Sequence, residues 1–273
     1  MSFVEAVVLG IVQGLTEFLP VSSSGHLRIV PAFLGWEDPG TAFTAVTQLG
    51  TVLAVVIYFR RDLWRVATTW LRSLGDPELR STLDARLGWY LILATVPISL
   101  AGLAFRDEIE SGARDLRLIA ASLIVVGVVL FAAERVARRT RTIEEVDTRS
   151  AVVVGAAQAL ALVPGVSRSG ATISAGLFLG FTREAAARFS FLLSIPAVVL
   201  SGVVTAPDVA AGDGPGIAET VVATVLAFVV GYAAIAWLLK YLITHTTAVF
   251  VVYRVALGVL LIALLAAGVL DAR

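Results

Sequence analysis

Gln13 and Glu17 stand four residues apart, so on a helix they share one face. They run directly into Pro20-Val21-Ser22-Ser23-Ser24-Gly25-His26, a turn that carries three hydroxyls and an imidazole. A carboxylate in apolar surroundings is costly unless it is paired or bound to a metal. Glu17 is therefore either a functional group or the structural partner of a cation such as Arg168. His26, one of two histidines in the chain, can act near neutral pH as base, nucleophile or proton donor. A helix starting near Ser24 would offer free N–H groups and a positive dipole end, an anion site formed by Ser22, Ser24 and Gly25. A second segment, Pro164-Gly165-Val166-Ser167-Arg168-Ser169-Gly170-Ala171-Thr172, supplies what the first lacks. Arg168 stays charged, and its planar fork matches phosphate oxygens. Ser167, Ser169 and Thr172 add neutral donors, while Gly165 and Gly170 let the backbone approach a ligand closely. Carboxylate, imidazole, hydroxyls and guanidinium are together the parts of a phosphoryl-transfer site. Glu17 with Gln13 offers hard oxygen donors, which suit Mg²⁺ or Ca²⁺ better than zinc. The chain has no cysteine, which excludes thiolate catalysis and Cys-ligated metals.

The two segments are related to each other. A shift of 145 residues lays Gly10 on Gly155, Gln13 on Gln158, Val21 on Val166, Ser22 on Ser167, Ser24 on Ser169 and Gly25 on Gly170. This points to an internal repeat whose halves, about 1–145 and 146–273, belong to a single membrane domain. Chance likeness between two Gly/Ser-rich turns is the plainer alternative.

The elements that carry these residues must sit in lipid. The 273 residues are 58% hydrophobic and only 15% charged, with a mean hydropathy of +0.89. A soluble domain has about 45–50% apolar and about 25% charged residues. Six stretches have the length and apolarity of a spanning helix: 42–59, 88–105, 117–133, 187–205, 220–239 and 247–270. The segments 4–29 and 151–179, each broken by its Ser/Gly turn, read as pairs of short helices that enter and leave on one face. Irregular backbone at that depth is tolerated only where protein or a wet cavity surrounds it. With three spans after each hairpin, the second half starts on the opposite side of the membrane, which makes the halves inverted repeats. Arginines crowd the loops after the first span (Arg60, Arg61, Arg65, Arg72, Arg80, Arg86) and after the third (Arg135, Arg138, Arg139, Arg141, Arg149). Arg106, Arg114 and Arg117 are offset by four acids, and 206–219 has no basic residue. The positive-inside rule then predicts that both termini lie outside. No cleavable signal is expected, because a basic leader region is absent and Glu5 and Glu17 flank the apolar run. Lys+Arg and Asp+Glu are 21 each, so net charge suggests no nucleic acid partner. Membrane lipids are the expected surroundings, and a homodimer is allowed but not required. His245 reads as incidental, and Arg188 and Arg254 as internal ion pairs or snorkelled ends.

At its two motifs the sequence resembles the bacterial undecaprenyl-diphosphate phosphatase family, also known as the bacitracin-resistance proteins. The first family signature is a Glu or Gln, a Glu four residues later, then a serine-rich turn ending in Gly-His. It is matched by Gln13, Glu17, Ser22, Ser23, Ser24, Gly25 and His26. The second is matched by Pro164, Gly165, Ser167, Arg168, Ser169 and Thr172. The resemblance extends over essentially the whole chain, including Gln48-Leu49-Gly50 and the run from Phe189 to Pro196. It implies an all-α polytopic membrane protein with six transmembrane helices and two re-entrant helical hairpins in inverted repeats, its site open to the outside of the plasma membrane. It also implies hydrolysis of a C55 polyprenyl diphosphate to the monophosphate, with Mg²⁺ or Ca²⁺ held by Glu17 and Gln13. In that chemistry either Ser23 attacks the terminal phosphorus with His26 as base, or His26 itself attacks or activates water. A transporter of the same lipid is the alternative of another class, since inverted repeats commonly serve alternating access. A histidine-rich lipid phosphatase would need a second histidine after the Ser-Arg motif. Only His245 offers one, 77 residues past Arg168.

Overall fold

The computed structural model describes residues 1–105, 115–210 and 216–272, with 201–210 described as backbone only. The expected outer loops fall largely on 106–114 and 211–215, so the orientation argument drawn from Arg106, Arg114 and the loop at 206–219 lies mostly outside the described residues. Among the described residues eleven α-helices follow one another: α1 Phe3–Phe18, α2 Ser23–Leu34, α3 Gly40–Tyr58, α4 Arg60–Gly75, α5 Leu83–Ala104 and α6 Leu116–Val136, then α7 Thr148–Ala159, α8 Arg168–Phe178, α9 Arg183–Ala210, α10 Ile217–Thr244 and α11 Ala248–Ala266. Among the described residues there is no strand, only an isolated bridge between Arg141 and Phe181. Lipid leaves the backbone no partner but itself, which is why an apolar chain of this kind becomes all helix.

Among the described residues five helices are long and apolar enough to cross a membrane: α3, α5, α6, α10 and α11. The sixth expected span, 187–205, lies within the 28-residue helix α9, which is not among those five. The two broken segments are helix pairs, as expected. At 1.5 Å per residue α1 reaches about 24 Å and α2, α7 and α8 less than about 20 Å, against a hydrocarbon core of about 30 Å. The stretch after the first span, read from the sequence as a basic loop, instead begins with helix α4.

The short helices are held by intimate contact with helices of the other half. On α1, a Cβ at Gly10 would come within 2.5 Å of the Ala223 carbonyl oxygen of α10. On α7, a Cβ at Gly155 would come within 2.4 Å of the Ala94 carbonyl oxygen of α5. Only glycine permits either approach. Helices α3 and α9 pack on each other, as do α6 and α11, while α8 rests on α6, α7 and α9. The largest apolar cluster draws on both halves, with Phe18 of α1 set edge-on to Phe191 of α9 at 5.3 Å. At one end of the bundle, buried Glu134 of α6 accepts from Arg139 at 2.8 Å, from the Thr247 hydroxyl at 2.9 Å and from Arg183. That cluster ties α6, α9 and the start of α11 together.

Candidate active site

Helices α2 and α8 begin in the same way. Ser22 caps α2 with its Oγ accepting the Gly25 N–H at 3.3 Å, and Ser167 caps α8 with its Oγ accepting the Gly170 N–H at 3.0 Å. Both serines have positive φ, 80° and 72°, a region non-glycine residues rarely enter. Strain of about 1–3 kcal/mol per residue persists only where the surroundings fix it. What fixes it here is Arg254 of α11, fully buried between the two turns. Its guanidinium donates to Pro20 O at 3.1 Å before the first helix, and to Gly165 O at 2.9 Å and Val166 O at 3.0 Å before the second. It also donates to Ser122 O and Leu123 O of α6. Ser169 Oγ adds a direct link by donating to Leu19 O at 3.0 Å. Two helix N-termini with their positive dipole ends are thus held side by side.

Between them lies Glu17. Its Oε1 accepts Arg168 Nη2 at 2.6 Å, and its Oε2 accepts the Ser23 hydroxyl at 2.6 Å and Gln13 Nε2 at 3.0 Å. Glu17 and Arg168 are 151 positions apart in sequence yet form one nearly buried ion pair, with side chains 4% and 14% exposed. Arg168 is braced by donating from Nη1 to Ser194 O of α9 at 3.2 Å. Two cationic groups and two helix ends around a single carboxylate leave the site an excess of positive potential, suited to a polyanion. Among the described residues the first-turn amides of Ser23 and Ser24 make no hydrogen bond, so they are free for such a ligand.

The sequence candidates divide once placed. Ser23 and Ser24 are half-buried at the start of α2. Ser22 and Ser167 are buried caps, and the Gly25 and Gly170 amides are taken by those caps. Thr172 is fully buried, donates its hydroxyl to Arg168 O and shares a hydrogen bond with the Ser190 hydroxyl, so it stands behind Arg168 rather than toward a ligand. His26 Nδ1 lies 2.7 Å from Ser22 O, and a carbonyl only accepts, so Nδ1 carries the proton of the neutral ring. Its Nε2, left as acceptor, receives the Tyr253 hydroxyl at 2.5 Å, with the two rings stacked nearly parallel. Both ring nitrogens are thereby engaged away from Ser23, whose hydroxyl faces Glu17. Arg188 pairs with Asp62 at 2.5 Å as an internal ion pair, and His245 is exposed at the end of α10. Among the described residues Arg254 makes no ion pair, and it is buried rather than snorkelled: a core guanidinium satisfied by backbone carbonyls has no sequence signal beyond an arginine inside an apolar run. Tyr253 and the Ser190 and Ser194 contacts carried none that singled them out.

These helices, turns and motifs have close counterparts. A model of the bacitracin resistance protein BacA family matches residues 6–260. The chain belongs to that family. Among its BacA relatives, a protein of Nocardioides sp. named undecaprenyl-diphosphatase is 55% identical over the whole of both chains. One of Mycolicibacterium smegmatis with the same name is 56% identical, again over the whole of both chains. A third, of Thermobifida fusca, is 53% identical over 99% of this chain and 92% of its own length. In this BacA chain the donor set fits a hard divalent cation. Gln13 Oε1 is buried without a hydrogen-bond partner, beside the carboxylate that Gln13 Nε2 touches. An orphaned buried acceptor of that kind calls for a ligand. Among the described residues no group of three or more acidic or imidazole side chains forms a closed cage. With one carboxylate and one amide oxygen as donors, the rest of a Mg²⁺ shell would have to come from water and phosphate oxygens.

Proposed function

We propose that the protein is an integral membrane phosphatase that hydrolyses undecaprenyl diphosphate, a C55 polyprenyl diphosphate, to the monophosphate and inorganic phosphate. The observation that carries this reading is the Glu17–Ser23–Arg168 contact set at two adjoining helix N-termini. The names of the relatives support the same substrate. Such a reaction returns the carrier lipid for another round of cell-wall synthesis and underlies resistance to bacitracin, which sequesters the diphosphate.

Each residue then has a task. The incoming diphosphate draws Arg168 off Glu17, and its oxygens take the guanidinium, the Ser24 hydroxyl and the free amides of α2. Donors fixed in advance where charge develops stabilise the transition state without reorganising. Ser23 Oγ attacks the terminal phosphorus while its proton passes to Glu17 Oε2. The bond from that phosphorus to the bridging oxygen breaks, and the lipid monophosphate leaves. Water then attacks the phosphoserine, its proton passing through the Tyr253 hydroxyl to His26 Nε2, and the bond to Ser23 breaks as Glu17 returns the proton to Oγ. Mg²⁺ or Ca²⁺, held by Glu17 and Gln13 Oε1, would neutralise charge on the phosphoryl oxygens.

We read the architecture as six crossing helices (α3, α5, α6, α9, α10 and α11) with α1–α2 and α7–α8 as re-entrant hairpins, in inverted halves of about 1–145 and 146–273. Support comes from the shared caps Ser22 and Ser167, their shared positive φ, and the paired approaches of Gly10 and Gly155. The basic loops then face the cytoplasm, and both termini and the site face outside.

The test is phosphate release from the purified, detergent-solubilised protein given polyprenyl diphosphate, with and without chelator, beside Glu17→Ala and Arg168→Ala. Metal-dependent release that both substitutions abolish is the expected result. Absence of release from well-folded wild-type protein would sink the hydrolase reading in favour of a carrier of the same lipid.

A further inference from the structure

Helix α4, Arg60–Gly75, has three distinct faces. At 100° per residue, Asp62, Val66, Ser73 and Trp70 share the side turned to the protein. Val66 and Ser73 are buried there, and the Trp70 ring lies against Gly88 and edge-on to Trp89 of α5. A second face carries Trp64, Ala67, Leu71 and Leu74. Three of these are large apolar side chains left open, with Trp64 75%, Leu71 56% and Leu74 51% exposed. The edge beyond it carries Arg61, Arg65 and Arg72. Arg65 is spent on Asp84 at 2.8 Å, while Arg61 and Arg72 make no ion pair among the described residues. The helix starts two residues after the end of the spanning helix α3, with Phe59 the only residue between them. That continuity sets α4 at the level where α3 leaves the hydrocarbon.

An apolar stripe beside an arginine edge, on a helix joined to a spanning one, is the pattern of a helix lying in the membrane interface. We propose that α4 lies flat in the lipid–water boundary, with Trp64, Leu71 and Leu74 among the acyl chains, and that Arg61 and Arg72 bind the headgroups of anionic lipids. The ligand is a lipid of the surrounding bilayer with net negative charge. The guanidinium forks take its phosphate oxygens, and the apolar face holds them at phosphate depth. A soluble acidic protein would leave the apolar face uncovered, so the lipid accounts for both features.

The test uses full-length protein in phosphatidylcholine vesicles holding a minor fraction of brominated lipid, either phosphatidylglycerol or phosphatidylcholine. The signal is the Trp64 emission, taken as the difference between wild type and Trp64→Phe. Both bromolipids should quench it, and brominated phosphatidylglycerol should act as though enriched around α4 by about fivefold or more at low salt, given the known attraction of a surface arginine to anionic lipid. The enrichment should fall toward one at molar salt and in the Arg61→Gln/Arg72→Gln variant, whose phosphate release should be unchanged. Trp64 emission untouched by either bromolipid would overturn the membrane placement. Equal quenching by both lipids in wild type, or a preference that survives the double substitution, would overturn the headgroup site.

Discussion

Glu17 receives Arg168 on one oxygen and Ser23 on the other, both at 2.6 Å, so a single carboxylate holds both the cation and the hydroxyl. Glu17→Gln removes the acceptor of the Ser23 proton while keeping the shape. It should lower kcat on the order of 100-fold or more, measured as phosphate release, and rapid quenching of wild type should trap phosphate on Ser23. Trapping on His26, or on no residue at all, would end the serine mechanism. His26 depends on a partner the motif does not contain. The Tyr253 hydroxyl at Nε2 and the Ser22 carbonyl at Nδ1 fix ring and tautomer together. Tyr253→Phe should lower kcat about tenfold with little change in KM, and should cost nothing further when added to His26→Ala. Residues that act as one unit show such non-additivity; independent losses in the double variant would separate the two. Arg254 works on backbone alone. Replacing it with Met would strand the Pro20, Gly165 and Val166 carbonyls, each buried acceptor costing about 1–3 kcal/mol. Thermal unfolding in detergent should show a large loss, and Arg254→Lys, with a point charge in place of a fork, should recover only part of it.

At the scale of elements, the starts of α2 and α8 carry the geometry. Each is an N-cap serine at positive φ whose hydroxyl holds the amide three residues on. Ser167→Ala loses the cap and keeps the strain, for about 0.5–2 kcal/mol, while Ser167→Gly loses only a few tenths because glycine accepts the same φ. The ranking of the two variants by thermal stability checks this; alanine equal to or better than glycine would remove the capping account. The two turns also differ in the side chains that they carry. Where the first has Glu17, Ser23 and His26, the shift of 145 residues gives Leu162, Arg168 and Ala171. One turn thereby keeps the acid and the imidazole, and the other provides the cation.

For the molecule as a whole, the first helix of each short pair is pressed into a long helix of the other half of the chain, α1 on α10 and α7 on α5. Neither half can close the site alone. Glu134, shared by Arg139, Arg183 and Thr247, locks the same bundle at one end. If the arginine-rich loops face the cytoplasm, single cysteines placed at position 2 and at position 272 should react with an impermeant maleimide in intact cells, and one at position 138 only after permeabilisation. The reverse pattern would invert the proposed topology while leaving the site geometry as it is.

Composition alone determined that the chain lives in lipid, because few soluble domains carry so little charge and so much apolar surface. The two motifs marked the candidate parts of the site, since Glu17, Ser23, His26 and Arg168 are chemistry that an apolar segment does not carry by accident. Which of them touch could not be read from spacing. Glu17 reaches Arg168 from 151 positions away, His26 meets Tyr253 across 227, and Arg254 meets Pro20 across 234. Those contacts exist only because glycines let the short helices sink against helices of the other half. Periodicity reports which face of a helix is apolar, and it is blind to which distant backbone carbonyls a buried guanidinium will find.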